Sequence, residues 1–254
     1  MSDLKAAIAF EWTKVRTVRS TFWNLFSYLV VSILFSIAGG LYVRHTYENT
    51  GGIGGTDVIR AGHNGMLTGM LALVIFSVLT VTSEYSKGTI TSSLTAVPRR
   101  SVFYGAKCIV GGAAAFVTSV VVIPVSFFTT QLVMGTPPSV SLLDDAVLQS
   151  LFGAVISMTL LGMFSMGVAA ILRSSALSIS VLLPFFLTIS TILTNTPKVG
   201  RAARFLPDQA GGYVLLTETP ADADLNAWTG LLVLTAWTLG SIAVGFWAVQ
   251  RRSA

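Results

Sequence analysis

The sequence predicts an all-α integral membrane protein with six transmembrane helices, and three observations carry that prediction. First, residues 20–43, 61–83, 108–143, 146–172, 174–197 and 225–250 contain no Asp, Glu, Lys or Arg. These stretches are 24, 23, 36, 27, 24 and 26 residues long, and about 20 mostly apolar helical residues cross a hydrocarbon core. Second, the chain is 53% hydrophobic and 11% charged, whereas a soluble domain carries about 25% charged residues. Third, the charges alternate in sign from one set of connections to the next. With the N-terminus inside, eleven Lys and Arg fall on the inner side: Lys5, Lys14, Arg16, Arg19, Lys87, Arg99, Arg100, Lys107, Arg173, Arg251 and Arg252. Five fall outside: Arg44, Arg60, Lys198, Arg201 and Arg204. Acidic residues divide the other way, three inside and eight outside. The positive-inside rule then puts both termini in the cytoplasm. The net charge of +5 is read as a topology signal with anionic membrane lipids as its partner, and no nucleic acid.

Residues 1–254 are expected to form a single transmembrane domain, since no connection reaches the 50 or so residues of a globular unit. The spans are placed at about 22–43, 64–83, 108–134, 147–171, 176–195 and 227–249. Before the first, residues 4–19 are amphipathic: Leu4, Ile8, Trp12 and Val15 recur at helical spacing. Lys5, Lys14 and Arg16 lie largely off that stripe. A basic helix with an apolar face and a Trp is expected to lie in the headgroup plane, as an interfacial helix carrying Glu11, Trp12, Lys14 and Arg16. The first span is too long for the apolar region of a cleaved signal peptide, so it is expected to be retained.

The outer connection 44–60 contains Gly51, Gly52, Gly54 and Gly55 without a following Lys-Ser or Lys-Thr. It reads as a flexible loop, not as a phosphate-binding turn. Gly65 and Gly69 in the second span form a small-xxx-small pair, repeated as Gly153/Ser157 and Ser241/Gly245. Such pairs let helices approach closely in lipid. Pro124 and Pro184 fall inside the third and fifth spans and should kink them. Pro137-Pro138 is expected to end the third helix. The outer loop 196–226 contains Lys198, Arg201, Arg204, Phe205 and Leu206, then Gly211-Gly212 and an apolar run, and reads as short helices turning back toward the bilayer.

The inner loop 84–107 is the most informative connection. Ile90, Leu94 and Val97 are spaced 4 and 3 apart, predicting a short amphipathic helix after Gly88 that Pro98 closes. A short rigid helix in such a loop presents a compact face to a soluble partner.

Three function classes are weakened by what the chain lacks. No Walker-type sequence occurs, so ATP hydrolysis by this chain is not expected. Ion-coupled transporters place ionisable residues inside the membrane, and the six stretches hold none; His63 stands at an outer edge. Ser165 has no Gly-x-Ser-x-Gly spacing, and the topology puts His45 and His63 at the other side, so an intramembrane enzyme is not expected and no catalytic residue is assigned. No His-Glu-x-x-His pattern suggests a metal. The single Cys108 precludes an intrachain disulfide framework.

The segment Glu11-Trp12-Thr13-Lys14-Val15-Arg16-Thr17-Val18-Arg19-Ser20-Thr21 resembles the start of bacterial type 2 ABC transporter permeases, especially actinobacterial ones. Glu84-Tyr85, Gly88-Thr89-Ile90 and Pro98-Arg99-Arg100 resemble that family's first cytoplasmic loop, and Leu206-Pro207-Asp208-Gln209-Ala210-Gly211 a stretch before its last span. The resemblance implies the permease subunit of an exporter in the bacterial cytoplasmic membrane. It implies a second permease copy and two copies of a cytoplasmic ATPase that binds the ATP and Mg; separately, the uncharged Ser, Thr, Phe and Met of the spans suit an amphipathic or hydrophobic cargo. Residues 89–97 would be the coupling helix that docks on the ATPase. Glu84, Lys87, Arg99 and Arg100 would supply its polar contacts, and Gly88, Thr89, Ile90 and Leu94 would form or brace it. The alternative is a non-transporting scaffold or immunity protein of the same topology.

Overall fold

The computed structural model describes residues 2–50, 59, 61–86, 100–135, 145–215 and 224–251. In chain order these form α1 (Ser2–Thr17), α2 (Arg19–Thr50), α3 (Asn64–Ser86), α4 (Arg100–Met134), α5 (Asp145–Leu172) and α6 (Ser175–Pro184). A π turn (Phe185–Ile189) joins α6 to α7 (Ser190–Thr194), followed by α8 (Gly200–Ala203), α9 (Pro207–Gly212), a 3-10 turn (Tyr213–Leu215) and α10 (Ala227–Arg251). No strand occurs among the described residues. Six helical segments are long and apolar enough to cross a membrane: Arg19–Asn49, Asn64–Tyr85, Arg100–Met134, Asp145–Leu172, Ser175–Thr194 and Ala227–Arg251. This is the architecture of a multi-pass membrane protein.

α3 and α5 lie at the centre. Their apolar windows are 67% and 61% buried, against 28%, 22% and 33% for α2, α6–α7 and α10. The outer helices therefore turn large apolar side chains away from the protein, including Phe22, Leu41, Ile192 and Leu232. Such a surface is stable only where the surroundings are themselves apolar. Aromatic residues mark its limits. Trp23 and Tyr42 on α2 are nineteen residues apart, as are Trp228 and Trp247 on α10, and all four are more than half exposed. At 1.5 Å per residue each pair spans about 28 Å, close to the ~30 Å hydrocarbon thickness with its interfacial aromatic belts.

The small-residue pairs coincide with helix contacts. A Cβ at Gly65 would overlap Ser36 Oγ and the Ser32 carbonyl, and one at Gly69 would overlap Ser32 Oγ, so α2 closes onto α3 only over bare backbone. Ser36 Oγ and Ser126 Oγ share a hydrogen bond of 2.6 Å that ties α2 to α4 beside them. A Cβ at Gly153 would run into Val214 of the 3-10 turn, and Ser157 Oγ donates to the Gly211 carbonyl at 3.3 Å. One at Gly245 would stand 3.0 Å from the Gly167 carbonyl, where α10 crosses α5.

Several boundaries differ from the sequence expectation. α2 continues to Thr50, so 44–50 is helix rather than loop, held by an Arg44–Glu48 pair at 3.0 Å and an Asn49 bond to the His45 carbonyl at 2.8 Å. α4 begins at Arg100, well before the charge-free stretch. It stops at Met134 ahead of Pro137: Gly135 takes φ +63° and its N–H reaches the Gln131 carbonyl at 3.3 Å. That left-handed cap suits glycine and ends the helix before the proline pair. Pro124 lies within the continuous α4, whereas Pro184 is followed at once by the π turn. The loop 196–226 does contain short helices, and Pro207, Ala210, Gly211, Val214 and Leu215 are buried against the bundle.

Candidate functional site: a buried ion cluster at the terminal end

Helix α1 meets α4 through a face that overlaps only one edge of its apolar stripe, where Val15 packs on the core. Ala7 and Glu11, one turn apart, are buried, Ile8 and Val15 are half-buried, and Leu4 and Trp12 stay exposed. Ala7 leaves room for close approach, and Glu11 then points at Lys107, two turns into α4 and 3% exposed. Lys107 Nζ donates to Glu11 Oε2 at 3.1 Å, to Glu84 Oε1 of the last turn of α3 at 2.9 Å, and to the Thr80 carbonyl at 3.3 Å. Lys14 Nζ closes the ring from α1, donating to Glu11 Oε1 at 3.1 Å and also to Glu84 Oε1. Two lysines and two glutamates thus balance. Phe103 and Phe10 each place a ring within 5 Å of one of the lysine ammonium groups, Lys107 and Lys14 respectively.

Burying four charges is costly unless their geometry and hydrogen bonds compensate. Here each ammonium has at least two oxygen partners, and among the described polar atoms of the four side chains only Glu84 Oε2 is buried without one. A cavity of about 510 Å³ opens beside the cluster, bordered by Lys14, Glu84 and Lys107 and by the polar Thr21, Asn24 and Ser175.

A second set of cations lies at the same end. Arg173 takes φ 54°, unusual for a residue with a Cβ, in the two-residue link between α5 and α6. Its Nη2 donates to the Ala248 carbonyl at 2.9 Å, and its guanidinium lies 5.5 Å from the Tyr85 ring centre. Arg100 Nη1 reaches the Val249 carbonyl at 3.4 Å. Both arginines therefore meet the last turn of α10, where unpaired carbonyls concentrate negative charge. Ser174 caps α6, its side chain accepting from Leu177 N at 3.3 Å.

The sequence-predicted residues fall in three places. Glu11, Lys14 and Glu84 come together in the ion cluster, and Arg100 joins the α10 cradle. Trp12 and Arg16 are exposed on α1 and take no part in the cluster. Lys87, Gly88, Thr89, Ile90, Leu94 and Arg99, with the expected short helix at 89–97, lie outside the described residues. Sequence reasoning treated Lys107 and Arg173 only as topology-setting charges and gave Tyr85 no role. The available signal was the placement of Lys107 against Cys108, the first residue of a charge-free stretch.

Other polar chemistry is sparse. Ser165 Oγ is buried and donates to its own helix at Leu161 O, 2.8 Å away. His63 bonds Ser150 Oγ through Nε2 at 2.5 Å, but Nδ1 has no partner among the described residues. A catalytic pair needs a third group there to orient the ring. The described residues contain no cluster of three or more His, Cys, Asp or Glu. No family model matches the chain, and no curated protein matches it.

Proposed function

We propose that the chain is the membrane-spanning permease subunit of an ATP-driven exporter, with the segment between α3 and α4 receiving force from a separate cytoplasmic ATPase. One observation carries this reading. Both flanks of residues 87–99 are bonded into three other parts of the bundle: Glu84 and Lys107 to α1, Tyr85 to the α5–α6 link through Arg173, and Arg100 to the end of α10. A force on that segment would be shared at once among α1, α3, α4 and α10. A buried, hydrogen-bonded charge cluster suits this role, because it has few intermediate arrangements between intact and broken. In this reading Glu84 and Lys107 act as internal linkage, while the residues of 87–99 would meet the ATPase. Helix α1, with Trp12 exposed, would lie in the headgroup layer and move with the spans. Two permease copies would enclose the path, and the cargo would be amphipathic or hydrophobic.

The test is reconstitution. The chain should co-isolate with an ATPase whose turnover rises when it is present. Glu84→Gln and Ile90→Asp should each abolish that stimulation while the protein still inserts in the membrane. Wild-type stimulation and transport in both variants would defeat the coupling role. Absence of any co-isolating ATPase would favour a non-transporting scaffold.

A further inference from the structure

At the end of the bundle opposite both termini, a cavity of about 710 Å³ lies between α3, α5, the π turn with α7, and α9. That volume falls within the range of small-molecule sites. Its apolar wall includes Met66, Met70, Met158, Leu161 and Phe186. Thioether side chains are flexible and polarisable, and they adapt to apolar ligands of varied outline.

The charges lining the cavity do not balance. Arg204 is neutralised by Asp224 at 2.8 Å. His63, next to α3, is held neutral because burial pulls its pKa down to about 4. Asp208 has no Lys or Arg within ion-pair distance among the described residues. Ser190 Oγ, 2.5 Å away, and Gln209 Nε2, 2.8 Å away, both donate to Asp208 Oδ2. Oδ1 is buried and unpartnered. Burial raises the Asp208 carboxyl above its ordinary range against the pull of Ser190, Gln209 and the backbone N–H groups of residues 208 and 209, as expected for a carboxylate lacking a counter-charge. Ser190 is buried and is the first residue after the π turn, a feature that often marks functional sites because it changes the register of the residues that follow.

We propose that this cavity binds a protonated amine carried on a compact apolar body, with the ammonium on Asp208 and the body against the methionine wall. A bare metal cation fits poorly, because Ca²⁺ needs six to eight oxygen ligands and Asp208 is the one carboxylate among the lining residues, which also include the Arg204 cation. An ammonium needs few partners and lets its carbon frame occupy the remaining volume. This site does not depend on the ATPase, so its failure would leave the permease reading intact.

The test uses the full chain in phosphatidylcholine nanodiscs, with dansylcadaverine as the probe and empty nanodiscs as the blank. Dansylcadaverine should bind saturably, and its N-acetyl derivative, which has no cationic amine, should bind about tenfold or more weakly, as loss of one charge-assisted hydrogen bond implies. Asp208→Asn should weaken the amine by a similar factor and leave the acetyl derivative unaffected. Met158→Trp should reduce binding of both by filling the cavity. Equal binding of the two probes to the wild-type chain would overturn the proposal whether or not any variant folds. So would an unchanged affinity in a folded Asp208→Asn protein.

Discussion

Lys107 enters the interior of α4 because the helix starts at Arg100, two turns earlier. There its ammonium is shared by Glu11 and Glu84. Lys107→Met should leave two buried carboxylates with Lys14 alone and cost about 3–5 kcal/mol, the usual penalty for removing one partner of a buried ion pair. A double variant that adds Glu84→Gln leaves Lys14 balanced by Glu11 and should recover most of that loss. Thermal unfolding in detergent would check both; a single variant as stable as the wild type would show that the cluster is dispensable to the fold. At this scale the sequence was half legible. Glu11, Lys14 and Glu84 stand out as charges beside apolar segments, but their convergence does not, because it depends on α1 packing by its Ala7 face. The stripe of Leu4, Ile8, Trp12 and Val15 was read as a face for the headgroup layer; Leu4 and Trp12 are exposed, whereas Val15 packs on the core.

Among the elements, the six long helices were visible from charge alone, since lipid excludes ionised side chains over a defined length. Their ends were less visible. Helix bonds persist beyond the apolar stretch wherever side chains can pair locally, so α2 runs on through Arg44 and Glu48. The small-residue pairs were legible as a spacing, and the structure supplies their partners: Gly65 and Gly69 lie under Ser32 and Ser36 of α2. Gly65→Leu should therefore push α2 away from α3 at the Ser32 carbonyl, where backbone cannot yield as a side chain would. We expect a loss of more than the roughly 1–3 kcal/mol typical of overpacking, read as a lower unfolding midpoint. Gly240→Leu is the matched control, because a Cβ at Gly240 meets nothing within 4 Å; an equal loss in both variants would show that close packing at Gly65 is not the cause. The cavity at the α8–α9 end escaped sequence reading altogether, because Asp208, Ser190 and Met158 are brought together from three separate segments.

For the whole molecule, the end holding the ion cluster and both terminal helices is taken to face the cytoplasm, and the end carrying α8 and α9 to face outward. The aromatic pairs Trp23/Tyr42 and Trp228/Trp247 set the limits of the apolar band between them. That orientation underlies the proposed coupling to a cytoplasmic ATPase, and it rests on the excess of Lys and Arg at one end. The most direct measurement labels single cysteines, in a Cys108→Ser background, with a membrane-impermeant thiol reagent in intact cells. Lys5→Cys on α1 should react only after the membrane is permeabilised, and Arg201→Cys on α8 should react at once. Immediate labelling at position 5 with protection at position 201 would invert the molecule and remove the basis for its proposed partner.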